Sequence, residues 1–133
     1  MSIDGLITVR SGFGHGETVA RLEAAVRANG LRIVAGVDHA IAAFQAGVSL
    51  DRTTVLMIGD GRRQAMLLNA LRLIALEAPF RVLVWQDAGG TWLSYDDPRW
   101  LAKRYGAGPD EECLIADIAV MIDGIARKAA SPP

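Results

Sequence analysis

Asp38-His39 pairs a carboxylate suited to capping a helix with an imidazole in the first turn of that helix. An imidazole at that position is a candidate to accept a proton or to ligate a metal. Further along, Gly59-Asp60-Gly61-Arg62 offers backbone donors and a cation at the end of a strand. Trp85, Trp92, Tyr95 and Trp100 fall around a hairpin and the helix after it, and Trp85 and Trp92 belong to paired strands where they can stack. Small-molecule sites combine an apolar wall with a few such polar groups. These features predict one ligand pocket made by Asp38, His39, Gly59, Asp60, Arg62, Trp85 and Tyr95. Its cation and strand-end donors suit a small anionic ligand.

Other patterns imitate chemistry without completing it. Gly12-x-Gly14-x-Gly16 stands between a strand and a helix, as in a dinucleotide fingerprint, with Asp38 after the next strand. Its third glycine comes one residue early, the acid lies too far on, and no second mononucleotide half follows. The segment therefore reads as a strand-to-helix turn. His15, His39, Met66 and Cys113 are ligand types for copper(I) or zinc, but no pair has metal-ligand spacing and Cys113 sits beside an apolar helix stripe, where a thiol packs. No metal site is assigned. In Asp96-Asp97 the second acid precedes Pro98 and has a capping role. Ser11, Ser49 and Ser94 lack a nucleophile-elbow setting, so a serine hydrolase is unsupported.

The elements that must position these groups follow from periodicity and punctuation. Strands are predicted at Leu6–Val9, Leu31–Val37 and Thr53–Ile58, with a hairpin of Phe80–Gln86 and Thr91–Tyr95 around Asp87-Ala88-Gly89-Gly90. Helices are predicted at Glu17–Ala28, at His39–Ala46 closed by Gly47, at Arg62–Ile74, from Pro98, and at Asp110–Ala129. Late hairpin strands argue against a purely parallel sheet. The expected fold is α+β: a mostly antiparallel sheet with helices on one face.

Composition sets the outer limits. The 133 residues predict one domain, 51% of them hydrophobic and 22% charged, with Ser131-Pro132-Pro133 as a disordered tail. Fourteen Lys and Arg against 15 Asp and Glu leave a net charge of −1, so a nucleic-acid partner, which needs a basic face, is not expected. No apolar run reaches the roughly 20 residues of a bilayer span, and no membrane partner is expected. A single cysteine allows no internal disulfide, and the start of the chain lacks the basic and apolar pattern of a secretory leader. A soluble, cytoplasmic setting is expected.

A family resemblance adds to this. Thr18-Val-Ala-Arg-Leu22, Asn29-Gly-Leu, Val37-Asp38-His39-Ala40 and Ala46-Gly47-x-x-Leu50 resemble the family called domain of unknown function 302. The second half agrees through Thr53-x-Val55-Leu-x-Ile58-Gly59, Pro79-x-Arg81-Val-Leu-Val84-Trp85-x-Asp87-x-Gly89 and Trp92-Leu-Ser94-Tyr95-Asp96-Asp97-Pro98-x-x-Leu101. The resemblance covers residues 5–106 and treats the helix at 110–129 as an addition. It implies an α+β fold resembling the TATA-binding-protein-like architecture and a homodimer, but no settled activity. After the third strand the family pattern is Gly-Asn-Pro-Lys, then Gly-Thr-Pro-Leu-Met. Here Gly59, Asp60, Gly61 and Arg62 are followed by Gln64, Ala65, Met66, Leu67 and Leu68. The glycine and the basic residue persist; the Thr hydroxyl and the Met position do not, leaving a plainer amphipathic helix suited to packing or a subunit contact.

The functional expectation is a homodimeric small-ligand or ion-binding protein with no assigned catalytic residue and an unknown cofactor. A non-catalytic interaction or scaffolding module is the alternative. An enzyme using His39 as general base with Asp38 or Asp96 is the third class.

Overall fold

The structure is a computed structural model that describes residues 2–131. Five strands, β1 (Leu6–Arg10), β2 (Arg32–Asp38), β3 (Thr53–Gly59), β4 (Phe80–Asp87) and β5 (Gly90–Asp96), form one sheet in the order β1-β5-β4-β3-β2. Every pairing in that sheet is antiparallel, as expected. The helices are α1 (His15–Ala28), α2 (His39–Gln45), α3 (Gly61–Ala70), α4 (Pro98–Arg104) and α5 (Glu112–Ala130). Pro132 and Pro133 of the expected disordered tail lie outside the described residues.

Alternation along the strands decides which face the helices cover. Phe80, Val82 and Val84 of β4 and Leu93 and Tyr95 of β5 are buried beneath the helices, with Leu56 and Ile58 of β3 beside them. Facing them are Leu22, Ala25 and Val26 of α1 and Ile115, Ile118, Ile122 and Ile125 of α5. These sit at helical spacing because one stripe of each helix must leave water. α5, expected as an addition, thus supplies one wall of the core.

Local signals explain the boundaries. The Asp38 carboxylate accepts from the Ile41 N–H (3.0 Å) and caps α2, and Asp97 accepts from the Arg99 N–H (3.0 Å) with Pro98 opening α4. Gly47, at φ +81°, closes the turn after α2, where Val48 N–H donates to Ala43 C=O. One expectation is corrected: the helix at 62–74 is not continuous. α3 stops at Ala70, Leu71 leaves the helical conformation (φ −132°, ψ 78°), and a 3₁₀ helix follows at Arg72–Leu76. That break turns Ile74 into the core and leaves Met66, Leu73 and Leu76 exposed. The connection between β1 and α1 is shorter than expected, Ser11–Gly14, because α1 already starts at His15. Ser11 Oγ lies 2.6 Å from Thr18 Oγ1, accepts from Phe13 N–H, and ties the end of β1 to α1.

Candidate functional site

The face of the sheet away from α1 and α5 carries the alternate residues: Leu6 and Thr8 of β1, Trp92, Ser94 and Asp96 of β5, Arg81, Leu83, Trp85 and Asp87 of β4, Val55 and Met57 of β3, and Val37 of β2. They line an open cavity of about 1090 Å³, with His39 at its edge. Val37, Val55 and Leu83 make its middle row apolar, and Leu6 and Met57 add apolar groups in the next row. Charged groups stand at the two ends, Arg81 and Asp96 at one and Asp87 at the other.

Trp85 and Trp92 lie opposite each other in the hairpin register, their ring centroids 6.0 Å apart at 27°. Hydrogen bonds fix both indoles. Trp85 Nε1 donates to Ser94 Oγ (2.8 Å), which also meets Thr8 Oγ1 (2.9 Å). Trp92 Nε1 donates to Asp87 Oδ1 (2.9 Å), and the same oxygen accepts from Gly89 and Gly90 N–H. The Trp92 indole N–H and these backbone donors hold the Asp87 carboxyl below the usual carboxylate range. Arg10 stacks 5.2 Å over the Trp92 ring and donates to Gly89 C=O (2.8 Å). Arg81 is steadied by Glu77 (2.9 Å). The result is a flat, preset aromatic platform beside an apolar floor.

The structure divides the residues expected to form one pocket. His39 and Trp85 both line the cavity. Tyr95 borders it, but its ring is buried on the helix side, where its hydroxyl donates to Asp123 Oδ1 (2.5 Å) of α5. Burial and that carboxylate push the Tyr95 phenol well above its ordinary range, so it stays neutral. Asp38 is spent on capping α2. Gly59, Asp60 and Arg62 lie at the far end of β3. Asp38 pairs with Thr54 whereas Gly59 pairs with Arg32, five residues along, or about 16 Å away. Gly59 is a packing glycine, because a Cβ there would meet Val34 Cγ2 at 2.8 Å. Asp60 is buried against Arg63 (3.4 Å), and Arg62 is exposed on α3. The expected convergence of these two strand ends does not occur.

Ser94, Thr8, Leu83, Val55, Met57, Arg81, Asp87 and Asp96 were not singled out as ligand residues from sequence. One signal was present: Val82 to Trp85 is apolar at every position, as in a strand that presents apolar groups on both faces. The metal-type residues stay apart. Cys113 is exposed, not packed, and among the described residues no three His, Cys, Asp or Glu side chains gather to hold a metal. His15 is 4% exposed at the start of α1, and neither ring nitrogen has a hydrogen-bond partner.

Comparisons with known proteins agree with this architecture. An uncharacterized conserved protein DUF302 from Bacillus stearothermophilus superposes with a TM-score of 0.87 over 96% of this chain and 99% of that one, at 20% identity, which is a likeness of fold. The curated relative named fluoride-specific ion channel FluC 1, from Brucella suis biovar 1 (strain 1330), is 35% identical over 117 residues, 87% of this chain and 44% of that protein. Another FluC 1, from Brucella abortus biovar 1 (strain 9-941), is 35% identical over 117 residues and 42% of its length. The chain thus spans less than half the length of these relatives, and none of its described helices is long and apolar enough to cross a membrane. The family model described as domain of unknown function DUF302 matches residues 7–129, running through α5, and the chain belongs to that family.

Proposed function

We propose that the protein is a homodimeric binding domain whose open sheet face takes a small ligand with a flat, apolar ring body and an acidic group. The observation that carries this reading is the cavity of about 1090 Å³ floored by Leu83, Val55 and Met57 beside the fixed Trp85–Trp92 pair. Ligand sites are mostly apolar with a few placed polar groups, and a ring stacks on Trp85 without reordering it. Arg81 supplies the cation for the acidic group, and His39 and Ser94 supply hydrogen-bonding groups along the wall. The reading uses the TATA-binding-protein-like architecture only as a sheet with one face left for binding. Nucleic acid is not part of it, because Arg10 and Arg81 share this face with Asp87 and Asp96, which leaves no basic stripe. A cytoplasmic setting fits a chain whose one cysteine is exposed.

The test is a titration with anilinonaphthalene sulfonate, an aromatic anion, followed by quenching of tryptophan fluorescence in the folded protein. Trp85→Ala and Arg81→Met should each weaken binding about tenfold, the loss of one aromatic or charged contact. Equal binding in both variants would remove the face from consideration. The name of the Brucella relatives makes fluoride a second titrant; a saturable fluorescence change with fluoride would point to an ion rather than a ring compound. A protein-interaction module is the second reading, favoured by the uncharged and exposed segment that follows β2.

A further inference from the structure

Residues 39–50, which form α2 and the turn after it, contain no charged side chain. Four of their large apolar groups stand in solvent: Ile41 is 57% exposed, Phe44 81%, Val48 59% and Leu50 46%. None of the seven residues of α2 is buried. A helix that short is not stable on its own local interactions; helices in proteins are held by packing an apolar face. Yet this arm is built, not frayed. Asp38 caps its start, Gly47 closes its end, and Val48 N–H returns to Ala43 C=O. Ala40 and Ala43 are half-buried where the helix rests near β3, but the face that carries Ile41 and Phe44 has no cover within the described chain and calls for cover from elsewhere.

The open sheet face has the opposite deficiency. Its apolar floor of Leu83, Val55 and Met57 is only half-buried, and its cavity, at about 1090 Å³, is larger than a small-ligand site usually is and lacks a roof. The arm begins at His39, on the rim of that cavity, and leads away from it. One molecule therefore carries both an uncharged apolar projection and an apolar recess, side by side. A two-fold interface demands this kind of self-complementarity, because each contact from one copy to the other is repeated in reverse. The size is adequate. Five strands about 4.8 Å apart and seven residues of about 3.3 Å make a face of roughly 20 by 20 Å in projection. With four large arm side chains added, the area approaches the roughly 800 Å² per partner of a stable interface. Its anatomy also fits, with an apolar centre and a charged rim of Arg81, Asp87 and Asp96.

We propose that two copies of this chain associate about a two-fold axis, the 39–50 arm of each lying across the open sheet face of the other, so that Phe44 roofs the partner's cavity. The proposal rests on the open-face reading and names what completes that site: a second copy.

The test begins with native mass spectrometry of the wild type at micromolar concentration, which should give twice 14.2 kDa. Phe44→Asp, on a residue exposed within its own chain, should keep the circular dichroism of the wild type and raise the dimer dissociation constant by about 30-fold or more, as for a central anchor. Contact is then checked directly. Phe44→Cys and Met57→Cys, each combined with Cys113→Ser, are mixed under mild oxidation, and a disulfide between the two different chains is expected. A wild type of single mass overturns the proposal, as does a Phe44→Asp protein that remains as dimeric as the wild type, or a mixture that yields no such disulfide. The two readings fail separately. A Phe44-dependent dimer that binds no anilinonaphthalene sulfonate sinks the ligand reading and upholds the arm exchange. A single-copy protein that binds the dye through Trp85 overturns the arm exchange and the homodimer, and upholds the sheet face as the ligand site.

Discussion

His15 is buried at the first turn of α1 with neither ring nitrogen satisfied, and burial, followed by the nearby Arg52 charge, lowers its pKa. The folded chain therefore takes up this proton less readily than the unfolded chain. Neutral His15 contributes its full share of stability above about pH 6.5, the unfolded value, and that share is lost as the pH falls below it. Melting temperature should accordingly drop between pH 7.5 and pH 5, well above the range where the depressed carboxyls of Asp87 and Asp123 titrate. His15→Phe, similar in shape and without polar atoms, should flatten that drop; an equal drop in the variant would place its source elsewhere. At this scale sequence reasoning succeeds where chemistry is local. Asp38 caps α2 and Asp97 caps α4 because a cap needs only its next three residues. It misses His15, because an imidazole at a helix start looks the same on paper whether the helix turns it to water or into the core. The same blindness covers Tyr95, whose hydroxyl partner Asp123 is 28 positions away.

The strands are legible because β-branched runs are bounded by glycine and proline turns, and the Asp87-to-Gly90 hairpin is set by local residues. α3 is less so. Its apolar spacing continues through Leu71 and Ile74, but the helix breaks at Leu71 and Ile74 turns into the core, a tertiary demand that periodicity does not carry. The pocket expected from two strand ends fails for a topological reason. In antiparallel neighbours the last residue of β2 stands beside the first of β3, so Asp38 and Gly59 occupy opposite ends of the sheet. The open face was harder to see, since an apolar strand residue reads as core until the helices are counted and found to cover one side. α5 gives a test at this scale. It is a wall of the core, with Ile122 at 2% exposure and Val120 at 66% on the same helix. Ile122→Ala should cost about 2–5 kcal/mol in urea unfolding, the usual cost of such a buried truncation, while Val120→Ala stays within about 0.5 kcal/mol. Equal effects would mean that α5 is an appendage after all.

At the scale of the whole molecule, the helices exclude water from one face of the sheet and leave the other face and the 39–50 arm without cover. A chain of this length buries about two-thirds of the surface its unfolded form exposes, so an uncovered sheet face is a substantial share of the apolar area that could contribute to stability. Association through the arm recovers that share and ties stability to concentration, since a partner that binds only the folded chain shifts the unfolding equilibrium by mass action. The melting temperature of the wild type should thus climb as protein concentration is raised a hundredfold, whereas that of Phe44→Asp should stay level and meet the wild type's at the dilute end. Anilinonaphthalene sulfonate should raise the wild-type value further and the Phe44→Asp value less, because the ring bound on Trp85 loses its roof when the arm is absent. If both proteins melt at one temperature regardless of concentration, the two bare surfaces are not each other's partners. The uncharged arm then serves a different protein, and the interaction-module reading becomes the better one.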